Sequence, residues 1–193
     1  MIDRARALVT APGVEWQPAD ATRLPVPERS FDAVVCQFGL MFFPDKATGI
    51  REAHRVLKPG GQYLFNVWDA LEHNPVARVT HETVATFFPT DAPSFYTVPF
   101  GYHNVGLIEG FLTRAGFREI HHEAVEKTGT SPSAAAAATG LVEGSPILAE
   151  ITSRRAEAIP EIKAALAANI AAQFGDRPAR FRLRALVFSA RRP

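Results

Sequence analysis

Residues 31–67 read FDAVVCQFGLMFFPDKATGIREAHRVLKPGGQYLFNV, and this stretch decides the fold class. Its first part, residues 31–36, is a continuous apolar run of strand length, which suits a strand covered on both faces. Residues 45–57 carry apolar side chains at helical spacing. Lys58–Gly61 then ends the helix, and residues 62–67 form the next strand. A strand, a helix and a strand in this order predict an α/β protein with a mostly parallel sheet.

The rest of the chain continues the alternation on both sides of this stretch. Upstream, the sequence predicts one or two helical turns over residues 2–9 and a short strand over 14–18. Downstream, it predicts helices over 75–88 and 104–115, a strand over 117–126, helices over 131–175 and a closing antiparallel strand over 181–190. No repeat or linker divides the chain, so residues 1–193 are predicted to form a single domain, with 131–175 as a helical insertion before the last strand.

Composition narrows the class of protein. Lysine and arginine number 21 against 20 for aspartate and glutamate, a balance that gives no electrostatic footprint for nucleic acid. The single cysteine, Cys36, excludes a disulfide within the chain and leaves no cysteine cluster for zinc, so no metal site is predicted. No run approaches the roughly 20 apolar residues of a membrane span, and the N-terminus has no apolar signal core. These features predict a cytoplasmic protein without a membrane span.

Four short motifs occur in an order and spacing typical of one enzyme family. They are the acidic-Ala pair at 20–21, the LPxP…SFD segment at 24–32, the residues QFGL at 37–40 and the RxLKPGG-type turn at 55–61. In these motifs the chain resembles the class I S-adenosylmethionine-dependent methyltransferases, close to the ubiquinone/menaquinone-biosynthesis type (methyltransferase type 11). The resemblance implies a Rossmann-like methyltransferase sheet, S-adenosylmethionine as cofactor, and transfer of its methyl group to a small organic acceptor.

The resemblance also assigns cofactor roles to residues that follow two of the predicted strands. By resemblance, the Asp20 carboxylate would accept a hydrogen bond from the adenine amino group, while the Ala21 N–H meets a ring nitrogen. The alternative for Asp20 is that it caps the following turn. Gln37, Phe38 and Gly39 would line the floor beneath the methionine part of the cofactor.

Methyl transfer requires mainly that the protein positions and desolvates the reacting groups, so no fixed catalytic triad is expected. Tyr102 and His103 lie on a segment that could form a lid over the substrate, and they are the candidates for an optional base. The alternative is that both are structural, which is the commoner role for a lone histidine. Trp68 and Asp69, just past the strand at 62–67, are expected to face the substrate.

Family members also contain elements that these 193 residues lack. They begin with a strand, a glycine-rich loop and an acid-tipped second strand, which hold the methionine end and the ribose of the cofactor. Only 19 residues precede Asp20, and their single glycine is Gly13. The expectation is a sheet that is incomplete in its N-terminal half, with impaired cofactor binding.

A missing neighbour would leave the strand at 31–36 as an uncovered apolar edge, which is a pairing hazard. Three explanations stay open: the chain is a fragment or a late-starting gene model, it pairs with another chain at this edge, or its first strand has moved to fill the gap. Two functions follow, either methyl transfer or a non-catalytic methyltransferase remnant that acts as a dimerisation or interaction module. The chain is predicted to form a homodimer, with this edge paired or elements exchanged between the copies, or else to aggregate.

Overall fold

Helices and strands alternate along the chain much as the sequence predicts. The computed structural model describes residues 2–193. The strands are β1 (Phe31–Gln37), β2 (Leu57–Trp68), β3 (Arg118–Ser131) and β4 (Ala179–Arg191). The helices are α1 (Ile2–Leu8), α2 (Lys46–Val56), α3 (Pro75–Thr86), α4 (Thr97–Phe100), α5 (Val105–Arg114), α6 (Ala134–Glu143), α7 (Ile147–Arg155) and α8 (Ile159–Phe174). None of these helices combines the length and the apolar character that crossing a membrane requires.

The strands form one mixed sheet in the order β1-β2-β4-β3. β1 and β2 are parallel and joined by α2, which is the predicted crossover. β4 runs antiparallel to both of its neighbours, as predicted for the closing strand. The α/β, Rossmann-like class is therefore confirmed. Within residues 2–193, β1 pairs with β2 alone and lies at the edge of the sheet.

The two faces of the sheet differ in how they are covered. Helices α2 and α5 pack on one face, where the rings of Phe65 and Phe188 stack with centroids 4.9 Å apart. The opposite face is open at β1, where Val35 lies beside Leu64 and is 70% exposed. The expectation that β1 is covered on both faces is therefore wrong. A continuous apolar run in the sequence does not show which face of the resulting strand is covered by other elements.

The junction between α2 and β2 explains why the predicted start of the second strand is late. The chain passes from the helix directly into β2, and Phe31 already pairs with Leu57. The next paired residues are Ala33 and Gln62, so the predicted turn forms an irregularity inside the ladder. Gly60 adopts a φ of +80°, which glycine tolerates without steric cost.

The helices between β3 and β4 build a second apolar core together with α3 and α4. Ile162, Leu166 and Ile170 share one face of α8, as predicted, and all three are fully buried. Burial of an aliphatic side chain of this size stabilises a fold by about 1.5–3 kcal/mol. β3 extends past residue 126 because its pairing with β4 continues to Ser131, opposite Ala179. The description of residues 131–175 as an insertion in a single domain stays a prediction.

The N-terminal segment departs most from expectation. Residues 14–18, predicted as a strand, have no strand pairing within the described residues, and an extended segment without a paired neighbour is not stable as a strand. α1 forms as predicted but buries none of its side chains. Since residues 14–18 do not pair with β1, the explanation in which the first strand fills the gap at that edge is also wrong.

Candidate functional site

The residues at the carboxyl ends of β1 and β2 lie at one edge of the sheet, because the two strands are parallel. Gln37 ends β1 and is followed by Phe38 and Gly39, while Trp68 ends β2. In open α/β sheets, ligands bind beyond the carboxyl ends of the strands. This edge is therefore the candidate site, and it contains three of the five predicted cofactor residues.

Phe38 is held in an unusual backbone conformation by a side chain that sequence reasoning missed. Its φ is +49°, in the left-handed region that non-glycine residues seldom adopt. The Phe38 N–H donates to Asn66 Oδ1 at 2.9 Å, and the Phe38 ring stacks on Trp68 with centroids 4.3 Å apart. The available signal was a single amide side chain in the otherwise apolar end of β2.

Local packing favours a glycine at position 39. Its φ of −106° and ψ of −43° are open to any residue. A Cβ at this position would lie 3.0 Å from Cys36 Sγ, which is too close for an undisturbed contact. Burial raises the pKa of the Cys36 thiol, which favours its neutral form. The loop that follows is held by packing, because Met41 is buried and Phe43 packs against Gly49 and the apolar core between the sheet and helices α2 and α5.

Asp20 occupies a turn and keeps one carboxylate oxygen free. Asp20 Oδ1 accepts hydrogen bonds from the Thr22 N–H at 2.8 Å and from Thr22 Oγ1 at 2.7 Å. These bonds, the backbone one foremost, lower the pKa of the carboxyl group. Within residues 2–193, Asp20 Oδ2 accepts no hydrogen bond. The turn-capping alternative is thus observed, and the free oxygen remains able to accept a hydrogen bond from a ligand.

The segment after Asp20 is fastened to α2. Arg55 donates hydrogen bonds to the carbonyl oxygens of Leu24 and Val26, each at 3.1 Å, and pairs with Glu52 at 2.8 Å. Glu52 Oε2 also accepts a hydrogen bond from the Leu24 N–H at 2.9 Å. The arginine of the RxLKPGG-type motif therefore anchors the LPxP segment. Within the described residues, no hydrogen bond or ion pair joins Asp20 to Gln37, Phe38 or Gly39.

Tyr102 and His103 occupy different environments although they are adjacent. Tyr102 is buried in the core, with Lys46 Nζ 5.1 Å from its ring centroid, and burial raises its pKa to about 12. Within residues 2–193 its hydroxyl has no hydrogen-bond partner. His103 is exposed, and its Nδ1 lies 2.8 Å from the Phe100 carbonyl oxygen. The Phe100 ring stacks on Trp68 at 5.8 Å, which connects this segment to the end of β2.

Asp69, expected to face the substrate, does not line the cavity that opens at this edge of the sheet. It is buried, and its Oδ2 lies 3.0 Å from Arg184 Nε, although that N–H is not aligned for a hydrogen bond. The fully buried Asn74 side chain donates to the carbonyl oxygens of Asp69, Ala70 and Arg184 and accepts from the Arg184 N–H. Asp69 is therefore part of a structural junction between β2 and β4, whereas Trp68 faces an open cavity.

That cavity opens on the sheet face next to the end of β1, with a volume of about 370 Å³. Phe38 and Trp68 form its aromatic wall, and aliphatic side chains of β3 and β4 form its floor. Three polar side chains also line it: Gln37, Asn66 and Lys127. An apolar cleft with a few polar groups is the usual form of a small-molecule site.

Comparisons with known proteins agree with the fold and the motifs. Residues 1–65 match the family model described as a methyltransferase domain. The chain is 47% identical over 60 residues to a 2-phytyl-1,4-naphtoquinone methyltransferase of Synechococcus elongatus, covering 31% of this chain and 26% of that protein. It is 45% identical over 67 residues to a demethylmenaquinone methyltransferase of Deinococcus radiodurans, covering 34% of this chain and 28% of that protein.

The fold has a counterpart among solved structures. A protein of Bacillus halodurans, assigned as a methyltransferase, superposes on the whole of this chain and on 78% of its own length, with a TM-score of 0.58 and 23% identity. The sequence matches span only about a quarter of the two quinone methyltransferases. The match to the family model, over residues 1–65, includes the pair at 20–21 and the end of β1.

Proposed function

We propose, starting from the relationship of this chain to the class I S-adenosylmethionine-dependent methyltransferases, that it takes part in methyl transfer from S-adenosylmethionine to a small organic acceptor. One observation carries the proposal. The stretch that matches the methyltransferase domain supplies the carboxyl end of β1, where an open α/β sheet binds its ligand.

Asp20, Ala21, Gln37, Phe38 and Gly39 are the proposed cofactor residues. The cofactor, when bound, supplies an electrophilic sulfonium methyl group. Asp20 Oδ2 would accept from the adenine amino group, since only Oδ1 is used by the turn. Gln37, Phe38 and Gly39 would support the methionine part, because the hydrogen bond from Phe38 to Asn66 fixes their backbone in advance.

His103 is the better of the two proposed bases. A Tyr102 hydroxyl whose pKa is about 12 stays protonated at neutral pH and cannot take a proton from the acceptor. In the neutral tautomer whose Nδ1–H donates to the Phe100 carbonyl oxygen, Nε2 carries the lone pair that can accept a proton. His103 Nε2 would take the proton that the acceptor loses, and the cofactor would supply the methyl group that replaces it.

The acceptor is proposed to be a small organic molecule in the cytoplasm. Two relatives are named for naphthoquinone-type substrates, which supports an acceptor of comparable chemistry. These 193 residues supply no glycine-rich loop and no acid-tipped strand before Asp20. We therefore expect these 193 residues to bind S-adenosylmethionine with a dissociation constant above the micromolar range. The hydrogen bonds from the ribose hydroxyls to a carboxylate are absent, and each is worth about 1.5–3 kcal/mol.

A second candidate function is an interaction module, and the state of β1 favours it. This strand has one strand neighbour among the described residues, and Val35 is 70% exposed. Two copies could pair antiparallel through β1 with Val34 opposite Val34, an arrangement that places Asp32 opposite Cys36. The two Asp32 carboxylates would then not repel each other, and Lys58 already neutralises each one at 2.9 Å.

Isotope-labelled methyl transfer separates the two functions. The chain is incubated with millimolar S-adenosylmethionine that carries a deuterated methyl group and with 1,4-dihydroxynaphthalene, and the products are identified by mass spectrometry. Methyl transfer predicts a labelled product whose formation falls strongly in His103→Gln and persists in the half-buried control His73→Gln. No labelled product from a folded chain, together with a stable dimer, would favour the interaction module.

A further inference from the structure

The first half of β4 carries a row of arginines on one face of the sheet. Arg180, Arg182 and Arg184 follow each other at intervals of two residues, so their side chains lie on the same face. The same face is apolar and fully buried at Phe188, further along the strand. Arg184 is half-buried, whereas Arg180 and Arg182 are exposed. This face of β4 therefore changes from an apolar core to a basic surface towards the beginning of the strand.

The neighbouring carboxylates do not neutralise this row. Arg184 Nε lies 3.0 Å from the buried Asp69 carboxylate. Glu126 Oε1 is 3.6 Å from Arg184 Nη1 and 3.9 Å from Arg182 Nη1, and both distances are too long for a hydrogen bond. Within residues 2–193, Arg180 has no ion-pair partner, and neither Arg180 nor Arg182 donates a side-chain hydrogen bond. The two exposed guanidinium groups are thus available to an anion.

Two threonines of β3 add hydroxyl groups to the same surface. Thr128 is opposite Arg182 in the β3–β4 ladder, and Thr130 is opposite Arg180. Side chains of directly opposite residues lie on one face of an antiparallel pair, so each hydroxyl is beside a guanidinium group. An open depression of about 460 Å³ lies over this part of the ladder, and its lining includes Thr128, Arg180 and Arg182. Guanidinium and hydroxyl groups are the donors that the oxygens of a tetrahedral anion accept from.

We propose that Arg180, Arg182 and Thr128 form a binding site for a phosphate monoester group. A phosphate dianion balances the two unpaired positive charges, and the planar guanidinium group matches phosphate geometry. β3 runs parallel to β2, because both strands are antiparallel to β4, so the site lies at the same edge of the sheet as the carboxyl ends of β1 and β2. Phosphate binding here does not rest on the proposed methyl transfer and uses none of the proposed cofactor residues.

NMR titration with inorganic phosphate tests the proposal. Chloride is exchanged for phosphate at constant ionic strength and at about pH 7.5, where phosphate is mostly a dianion. The backbone amide signals of Thr128, Arg180 and Arg182 should shift on one saturable curve. The expected dissociation constant is about 1–10 mM, as for an exposed site with two charged contacts.

Two further probes identify the source of the phosphate group. A small soluble ligand predicts that phenyl phosphate shifts the same signals, while vesicles of phosphatidylcholine with phosphatidic acid do not sediment the chain. A lipid headgroup predicts that these vesicles sediment the chain, that vesicles of phosphatidylcholine alone do not, and that Arg182→Gln reduces the sedimented fraction.

Variants of opposite effect and a control assign the contacts. Arg180→Gln and Arg182→Gln should each weaken phosphate binding about three- to tenfold, because each removes a charge-assisted contact. Glu126→Gln should strengthen it about two- to threefold, because it removes the carboxylate that faces Arg182. Arg78→Gln makes the same change in charge on α3, where Arg78 belongs to an exposed ion pair, and should leave the affinity unchanged.

Either of two results would overturn the proposal. One is a set of signals that phosphate, in tens of millimolar, moves no further than chloride does at the same ionic strength. The other is an affinity for phosphate that Arg182→Gln and Glu126→Gln both leave unchanged. Labelled methyl transfer by a chain that does not bind phosphate at this surface would leave the proposed function standing and remove this inference alone.

Discussion

At the scale of single residues, substitution of Asp20 separates its two roles, which are capping a turn and binding the cofactor. One carboxylate oxygen caps a turn and the other is free, and asparagine can reproduce only the first. Asp20→Asn keeps an oxygen for the turn but replaces the free acceptor with an N–H donor, which cannot accept from the adenine amino group. Both Asp20→Asn and Asp20→Ala should weaken binding of S-adenosylhomocysteine roughly tenfold, as measured by NMR titration.

Thr22→Val provides the control for Asp20. It removes the hydroxyl bond to Asp20 Oδ1 and leaves the free oxygen unchanged. Its affinity for S-adenosylhomocysteine should stay within about twofold of the original chain. If Asp20→Asn bound as tightly as the unsubstituted chain, the carboxylate would serve the turn alone.

The free energy of unfolding is predicted to depend on pH through His54. Its ring lies edge-on to Phe117 at 5.0 Å, and burial together with the charge of Arg192 lowers its pKa. The folded state therefore disfavours the protonated form, and the unfolded chain binds the proton more readily. The stabilisation is fully present above the ordinary histidine value of about 6.5 and is lost as the pH falls through that value towards the lower folded pKa.

The measurement for His54 is urea unfolding between pH 5 and 8. The free energy of unfolding should fall on the acid side, and His54→Phe should flatten this part of the profile while keeping the edge-on contact. Carboxylates with lowered pKa values, such as Glu52, titrate further to the acid side and do not obscure the comparison. An unchanged slope in His54→Phe would contradict the assignment.

At the scale of elements, Asn74 holds the end of β2 against β4. Its side chain makes hydrogen bonds with three carbonyl oxygens and one N–H, and it is fully buried. Asn74→Ala leaves several of these groups buried and unpaired, so it should cost about 2–4 kcal/mol in the free energy of unfolding.

Asn104→Ala is the matched comparison. Asn104 caps α5 through a single hydrogen bond from the Leu107 N–H, and its loss should cost about 1 kcal/mol. Denaturant unfolding of both variants measures the difference. Equal costs would show that the junction at the end of β2 contributes less than its hydrogen bonds suggest.

The elements that could be predicted are those in which local pattern and tertiary packing agree. α2 and α8 carry their apolar side chains at helical spacing, and the packed cores bury the same residues. Residues 14–18 have a strand pattern but no pairing, because strand formation depends on a neighbour that local sequence does not specify. Asn66 and Asn74 were missed for a related reason, since their partners are backbone groups far away in the chain.

At the scale of the whole molecule, the open edge predicts self-association. Val35 is 70% exposed on an edge strand whose only charged residue is Asp32. We expect the purified chain to form a dimer or larger assemblies, and Val35→Lys to shift it towards monomer, because a lysine on an edge strand opposes pairing. Light scattering on the eluted peak measures this.

Val98→Lys is the control for the edge. Val98 is exposed on α4 and is not part of β1. Its substitution by lysine should leave the assembly unchanged. A monodisperse monomer of the unsubstituted chain would contradict the prediction, and so would equal effects of the two lysine variants.

The candidate site could be predicted only as separate pieces. Motifs gave the residues at 20–21 and 37–39, but the free oxygen of Asp20 and the left-handed Phe38 emerge from hydrogen bonds that spacing cannot show. Tyr102 and His103 were indistinguishable in sequence, and burial separates them. The cavity combines side chains from all four strands of the described sheet, so only the folded register brings them together.

We propose above all that the carboxyl edge of β1 and the turn at Asp20 form part of a methyltransferase cofactor site. The most direct test is a backbone-resolved NMR titration with millimolar S-adenosylhomocysteine. The predicted result is a shift of the Ala21, Phe38 and Gly39 amide signals on one weak binding curve, with Gly60 and Gly61 at the other end of the sheet unchanged. Shifts confined to Gly60 and Gly61, or no shift in a folded chain at millimolar ligand, would contradict it.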